Sequence, residues 1–372
     1  TFITPVTGGY IIQPDKYDDF AAYLSGYAQY YESQNIPLDF ISPINEPQYE
    51  WSAEPGAAFQ EGSRCSNAEA FTLVQAIDQQ FQTDGVNSKL ILPESGDLAS
   101  LYTFKNNFPN ASDQGATFWN PSSDEYFGDF NSVAPLLAGH SYWSNSSPNV
   151  GVGHREELLR MNQSLGLEFW QTEYSILGSD YQAEGSPSEL IDIDYALWAA
   201  RSVHWDLTIA NATGWSWWTS MSRAQFGDHK FRFGLTNWYP NSETRSNSGG
   251  EVEESKLLWM FGNFSRFIRP GYQRIGVAND LFSSEELEAE NLMASSFISA
   301  AGDELIIVLI NYSQENIDVP ILNYGSDDGF TVEGDLFNAY VTSQTSDLKF
   351  SEVAFDDITV RGRSIMTLVG KL

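Results

Sequence analysis

The sequence predicts an α/β fold, a parallel TIM-type (β/α)8 barrel with a β-sandwich side domain, on three observations. Short apolar strands alternate with longer amphipathic helices over the first 270 residues. The ends of those strands carry polar and aromatic residues. After Pro270 and Gly271 the texture changes to short alternating strands with turn residues between them. Strands separated by crossover helices run parallel, because each helix returns the chain to the side from which it left. A doubly wound sheet is the alternative, but no Gly-rich phosphate loop follows any of these strands.

In order, Tyr17 to Tyr31 has helical spacing, Asn35, Ile36 and Pro37 interrupt it, and Leu38 to Ile44 reads as a strand. Ser66 and Asn67 cap a helix to about Phe81, which Asp84 and Gly85 end before a short strand from Lys89 to Leu92. Leu98 to Asn106 looks helical, Pro135 to His140 strand-like, Arg155 to Leu165 helical and Leu167 to Thr172 strand-like. Ile193 to Ala210 is a helix, Gly214 to Thr219 a strand, and Glu253 to Phe267 the last helix. The sandwich strands fall at Leu305 to Asn311, Ile317 to Leu322, Leu336 to Thr342 and Ser364 to Leu368, and the acidic run Glu285 to Glu290 reads as a solvated face. The expected domains are therefore 1–270, the barrel, and 271–372, the sandwich. The strands at about 38, 89, 135, 167 and 214 fall short of the eight a closed barrel needs, so the chain is expected to begin inside a barrel whose remaining strands are absent from it or supplied by a partner.

The formal charge of −31 repels phosphate backbones and anionic membrane surfaces, which argues against nucleic acid and membrane partners. No apolar run approaches a membrane span. The single cysteine, Cys65, excludes an internal disulfide framework and a cysteine-based zinc cluster. The four histidines, at 140, 154, 204 and 229, lack paired ligand spacing, so no metal is expected. No Gly-x-Ser-x-Gly elbow supports a serine triad. Eleven Trp, eighteen Tyr and twenty-four Phe supply flat faces of the kind that bind sugar rings, although most will be core.

Two strands each end in a glutamate: Ser42, Pro43, Ile44, Asn45, Glu46, Pro47 on one, and Trp170, Gln171, Thr172, Glu173, Tyr174 on the other. Strand C-termini converge on one face of a barrel, so the two carboxylates can meet despite their separation in sequence. Glycosidic cleavage with retention requires one carboxyl held protonated for the leaving oxygen and one held ionised for the anomeric carbon. Glu46 suits the first role and Glu173 the second, with Asn45 placed to bond the sugar 2-hydroxyl.

The Asn-Glu-Pro strand followed by a later glutamate strand resembles clan A glycoside hydrolases, and the details resemble glycoside hydrolase family 30. Phe40 to Pro47 with Tyr49 and Trp51 is similar to the family's acid/base strand, His140, Ser141 and Tyr142 to its sixth strand, and Gln171 to Glu173 to its nucleophile strand. Gly214 to Trp218 is similar to its eighth strand, and Gly262 to Gly271 to its link from last helix to side sandwich. The resemblance implies that the visible strands are the fourth to the eighth. It further implies that Tyr142 bonds the nucleophile, His140 supports the site wall and Trp218 floors the subsite of the cleaved sugar. Tyr49, Trp51, Trp143 and Trp217 are weaker candidates, for which packing competes with sugar contact. Gln60 to Gly62 belongs to the expected substrate loop. The clan's second-strand arginine beside the nucleophile has no counterpart here.

The expectation is a secreted, periplasmic or cell-surface retaining hydrolase of a β-linked polysaccharide or oligosaccharide, without a cofactor. β-1,6-Galactan is weakly favoured over β-1,6-glucan and xylan, candidates that the resemblance supplies. The competing expectation is a carbohydrate-binding protein on a truncated, catalytically incomplete barrel.

Overall fold

The computed structural model describes residues 12–49, 62–176, 191–223, 233–240, 250–320 and 332–372. The chain divides into two compact units.

The first unit holds α1 (Tyr17–Ser33), β1 (Phe40–Ile41), α2 (Asn67–Asp84), β2 (Lys89–Leu90) and β3 (Pro93–Ser95). It continues with α3 (Ala99–Tyr102), α4 (Gln114–Trp119), β4 (Leu136–His140), α5 (Pro148–Leu165) from Gly153 onward, β5 (Glu168–Glu173) and β6 (Gly214–Trp215). In α1 the buried residues Tyr17, Ala21, Leu24 and Ala28 recur at three- and four-residue steps, which puts one apolar stripe inward. Helix α2 starts at a full capping box, in which Ser66 accepts from the Glu69 amide and the Glu69 carboxylate accepts from the Ser66 amide. It ends where Gly85 takes φ 70°, a conformation that costs glycine little.

β1 pairs with β2, and β3, β4, β5 and β6 pair in that order; every pairing is parallel. Backbone bonds join the two sheets: the Leu90 amide donates to Ser132 and the Ala134 amide to Leu90. Strand segments thus lie side by side in sequence order, at the positions the hydrophobic pattern predicts except for β3, which falls just beyond the strand expected from Lys89 to Leu92. Among the described residues no pairing returns β6 to β1, so the observed sheet is open. Two local readings differ. The helix expected from Leu98 to Asn106 is cut to four residues, because Thr103 turns extended. Helix α5 begins at Pro148, earlier than the periodicity from Arg155 suggests.

The second unit contains α6 (Asp192–Thr208), β7 (Met221–Arg223), β8 (Thr236–Pro240), β9 (Gly250–Glu254) and α7 (Lys256–Ser265). The strand β9 occupies the start of the helix expected from Glu253. Strands β10 (Gln273–Ile275), β11 (Leu292–Ile298), β12 (Glu304–Asn311), β13 (Ile317–Asp318), β14 (Leu336–Ser343), β15 (Ser346–Ala354), β16 (Thr359–Val360) and β17 (Ser364–Lys371) follow. Six of them form an antiparallel sheet in the order β10-β11-β12-β17-β14-β15, and β13 pairs with β16. One face of the sheet packs a core that includes Ile307 and Leu309 of β12, with Phe337, Ala339, Val360 and Leu368. The acidic run proves to be a short helix, α8 (Glu285–Glu290), whose Ala289 is buried while Glu285 and Glu290 are exposed and Glu286 and Glu288 half-buried. Asn263 on α7 ties helix to sheet through Thr367 and the Tyr340 carbonyl.

Candidate active site

In the first unit the ends of β1, β3, β4 and β5 bring three carboxylates to one imidazole. His140 terminates β4 and is 1% exposed. Its Nδ1 lies 3.0 Å from Glu46 Oε1 and 4.0 Å from Glu173 Oε1, while its Nε2 lies 3.5 Å from Glu94 Oε2. Oxygens of Glu46 and Glu173 and a ring nitrogen of His140 all fall within 4.8 Å of one another. Glu46 and Glu94 are almost fully buried, and the Glu173 side chain is about a quarter exposed at 26%. A cleft of about 310 Å³ opens onto Asn45, Glu94, His140, Thr172 and Glu173.

The backbone holds these groups under strain. Glu46 has φ 47° and Glu94 φ 56°, left-handed values that side chains other than glycine seldom adopt and that concentrate at functional sites. The Glu46 amide donates to the Glu94 carbonyl at 2.9 Å, so the two strained turns brace each other. A Cβ on Gly96 would stand 2.6 Å from the Tyr49 ring and 3.2 Å from the Glu46 carboxyl carbon, so only glycine allows this approach. Gln48 fastens the turn after Glu46: it donates to Ser95, Ala111 and Gln114 and accepts from the Gly96 amide.

Tyr142 Oη donates to Glu173 Oε1 at 3.1 Å, and burial first, then the neighbouring carboxylates, drives its own hydroxyl far above the usual range. Glu173 itself is raised by burial and by Glu46 and Glu94, against the lowering effects of His140 and Tyr142. For His140, burial alone would lower the pKa, but its bonds to Glu46 and Glu94 and the charge of Glu173 outweigh that and raise it to about 9.

Asn45 lines the cleft, and its carbonyl accepts from the Ser63 amide. Tyr49 Oη donates to Asp97, which also receives Lys105 at 2.9 Å. Trp143, 49% exposed at φ 53°, sets its ring 5.2 Å from that of Tyr49 and 5.9 Å from that of Tyr142. These three aromatics, with Phe108, Lys105 and His154, line a second cleft of about 210 Å³. Trp217 and Trp218 belong to the second unit. There Trp217 Nε1 donates to the Phe233 carbonyl at 2.7 Å and its ring packs on Phe261, whereas Trp218 is 36% exposed. Trp51, Gln60 and Glu61 lie outside the described residues.

Glu94 is the residue that the sequence reading missed. Its signal was present: Ile91, Leu92, Pro93 and Glu94 repeat the pattern of a short apolar strand ending in a glutamate. Cys65 is buried, and burial pushes its thiol up to about 12, which suits a packed side chain rather than a nucleophile. Outside the cleft, His204, Glu285 and Glu288 also bring donor atoms within 4.8 Å of one another in the second unit.

The model of the family described as O-Glycosyl hydrolase family 30 matches residues 6–231. Among solved structures, a conserved exported protein from Bacteroides fragilis superposes with a TM-score of 0.85 at 28% identity, over 99% of this chain and 72% of that one. A glycoside hydrolase family 30 subfamily 8 xylanase from Clostridium acetobutylicum gives 0.63 at 21% identity, over 97% of this chain and 73% of that one. An endo-β-1,6-glucanase gives 0.58 at 18% identity, over 98% and 66%.

Proposed function

The chain belongs to O-glycosyl hydrolase family 30 and is a retaining glycoside hydrolase of β-linked polysaccharide; from that premise we propose that Glu46 is its acid/base and Glu173 its nucleophile. The observation that carries the assignment is the approach of their carboxylate oxygens to within 4.8 Å. Retaining enzymes hold the two carboxyl groups roughly 5–5.5 Å apart, whereas inverting enzymes leave roughly 6.5–9.5 Å for a water. Glu46, enclosed next to His140, delivers a proton to the leaving oxygen. Glu173, reached from the cleft and bonded by Tyr142, attacks the anomeric carbon. Water then cleaves the glycosyl-enzyme with Glu46 as base.

With β2 and β3 counted as two pieces of one strand, β1 to β6 are, on this reading, the fourth to eighth strands of a (β/α)8 barrel over 1–270, followed by a sandwich over 271–372. The adjacency of the strands in sequence order supports the first part, and the fall of every strand of the six-stranded antiparallel sheet after residue 270 supports the second. Asn45 is assigned to the sugar 2-hydroxyl and Trp218 to the sugar platform by resemblance to the family. Similarity to a protein called exported supports a secreted, periplasmic or cell-surface location. Among the described residues no helix is long and apolar enough to cross a membrane.

For the sugar, β-1,6-galactan is preferred, with β-1,6-glucan and xylan as alternatives; similarity to an endo-β-1,6-glucanase and to xylanases supports that choice of panel. The test is a screen of these defined polysaccharides, with an activated 2-deoxy-2-fluoro glycoside of the best sugar as trap. Label recovered on the Glu173 peptide is expected. A folded protein that cleaves none of them and takes no label would instead be a carbohydrate-binding module.

The aromatic cleft beside Glu46 is assigned to the leaving-group side of the substrate, because Tyr49 follows the acid/base by three residues and shares the cleft with Tyr142. Stacking on an aromatic face contributes roughly 0.5–1.5 kcal/mol, or about a 2- to 12-fold change in binding. Trp143→Ala is expected to raise KM for long oligosaccharides by that factor and to leave KM for small aryl glycosides unchanged. An equal rise for both substrates would place Trp143 elsewhere in function.

A further inference from the structure

We propose that Glu94 is a positioning residue for the hydrolysis: it anchors His140 through Nε2 so that His140 presents Nδ1–H to Glu46 and its positive charge is balanced across the reaction. The proposal rests on the assignment of Glu46 and Glu173 above and adds a third carboxylate to it.

The hydrogen-bonding capacity of imidazole carries the argument. Both ring nitrogens of His140 face carboxylate oxygens, Nδ1 toward Glu46 and Nε2 toward Glu94. A neutral imidazole has one N–H and one lone pair, and a lone pair aimed at an ionised carboxylate repels it. With His140, Glu46 and Glu94 all at most 4% exposed, water cannot absorb that repulsion. As the acid, Glu46 turns its O–H toward the leaving oxygen and leaves Oε1 to accept, so the form of His140 that offers an N–H to both Glu46 and Glu94 is protonated at both nitrogens. Among the described residues the charged and titratable groups around the ring are Glu46 beyond β1, Glu94 on β3, Glu173 on β5 and Tyr142 beyond β4, whose ring meets it edge-on at 5.9 Å. The raised pKa of His140, about 9, agrees with this arrangement.

Glu94 is well anchored for this task. Thr172 donates its hydroxyl to Glu94 Oε2, one residue before the nucleophile, and the Glu94 carbonyl receives the Glu46 amide. One residue therefore bridges the strand ends of both catalytic carboxylates.

The charge balance explains why the third carboxylate is useful. An imidazolium at His140 sets a positive charge 3.0 Å from Glu46. Glu94 sets an opposing carboxylate 3.5 Å from the other side of the same ring. In the first step Glu173 forms a bond to the anomeric carbon, the glycosidic bond breaks, and its electron pair takes the Glu46 proton. In the second, water attacks the anomeric carbon, its proton goes to Glu46, and the bond to Glu173 breaks. His140 and Glu94 gain and lose no proton over the cycle.

The test is the near-isosteric Glu94→Gln beside Glu94→Asp, read by the pH profile of kcat/KM and by the nuclear magnetic resonance titration of the His140 ring. With the offsetting charge gone, the His140 charge acts on Glu46 undiminished, and the alkaline limb of the profile should move about one pH unit toward acid. The His140 titration should fall by at least about one unit. The rate on polysaccharide should drop about 10- to 100-fold, while glycosylation by an activated aryl glycoside, which needs no acid, changes less than about 3-fold. Glu94→Asp, which keeps the charge, should restore the limb. An unmoved profile with equal losses on both substrates would show a merely structural role and overturn the proposal. Should Glu94→Gln fail to fold, the wild-type titration decides: a His140 that titrates below about 7 overturns it. An active Glu173→Gln would sink the catalytic assignment itself, whereas an inactive one with an ordinary His140 titration sinks only the role of Glu94.

Discussion

Glu173→Gln is expected to lower kcat by on the order of 10⁴- to 10⁶-fold on every substrate, activated or not, because the amide cannot form the glycosyl-enzyme. The substitution keeps the shape of the site: an amide oxygen at the same position can still accept from Tyr142. The loss should therefore appear in kcat, with KM little changed. Folding is a separable question with a definite sign. Burial raises the Glu173 carboxyl above its ordinary value, so the folded state binds its proton more tightly than the unfolded chain does. The penalty is absent at low pH and grows as pH rises through the ordinary carboxylate range and past it. Removing the charge should leave stability at pH 7 equal to or above that of the wild type. A melting temperature that falls with the activity would mean that the loss reflects unfolding. The same raised pKa places the acid limb of the wild-type profile above the ordinary glutamate value, since Glu173 attacks only when ionised.

Glu46→Gln separates the two chemical steps. On polysaccharide, where the leaving alkoxide needs a proton, the loss should be about 10²- to 10⁴-fold, the usual contribution of general acid catalysis. On an aryl glycoside with a good leaving group the first step proceeds near the wild-type rate, but hydrolysis of the glycosyl-enzyme lacks its base. The intermediate should accumulate, giving a burst of phenolate about equal to the enzyme concentration and a lowered KM. Equal rates on both substrate types, with no burst, would remove Glu46 from the acid/base role. The buried contact with His140 predicts that the glutamine must orient one amide atom toward Nδ1. The oxygen can do so, which keeps the site intact enough for the burst to be read.

Much of this site was legible in the residues. Asn45, Glu46 and Pro47 after a short apolar run, and Glu173 after another, mark two strand ends that a parallel sheet brings together. The cap at Ser66 and the stop at Gly85 were legible for the same reason: a capping box and a left-handed glycine are each written within a few neighbouring residues. The short helix at Ala99 was misjudged because Thr103, whose extended backbone ends it, carries no strong breaker signal. The acidic helix α8 was read only as a solvated face, since a run of six residues carries too little periodicity to declare itself.

The sequence by itself determined the alternation of strands and helices, the change of texture after Gly271 and the pair of glutamates, all of which rest on local periodicity or on residue type. The sequence marks Glu94 as one more glutamate after an apolar run, and tertiary structure alone decided that one imidazole stands among three carboxylates. That arrangement depends on which strand ends become lateral neighbours and on how deeply they are buried. A carboxylate's chemistry is set by the charges and hydrogen bonds that face it across the sheet, and those partners lie tens of residues away along the chain.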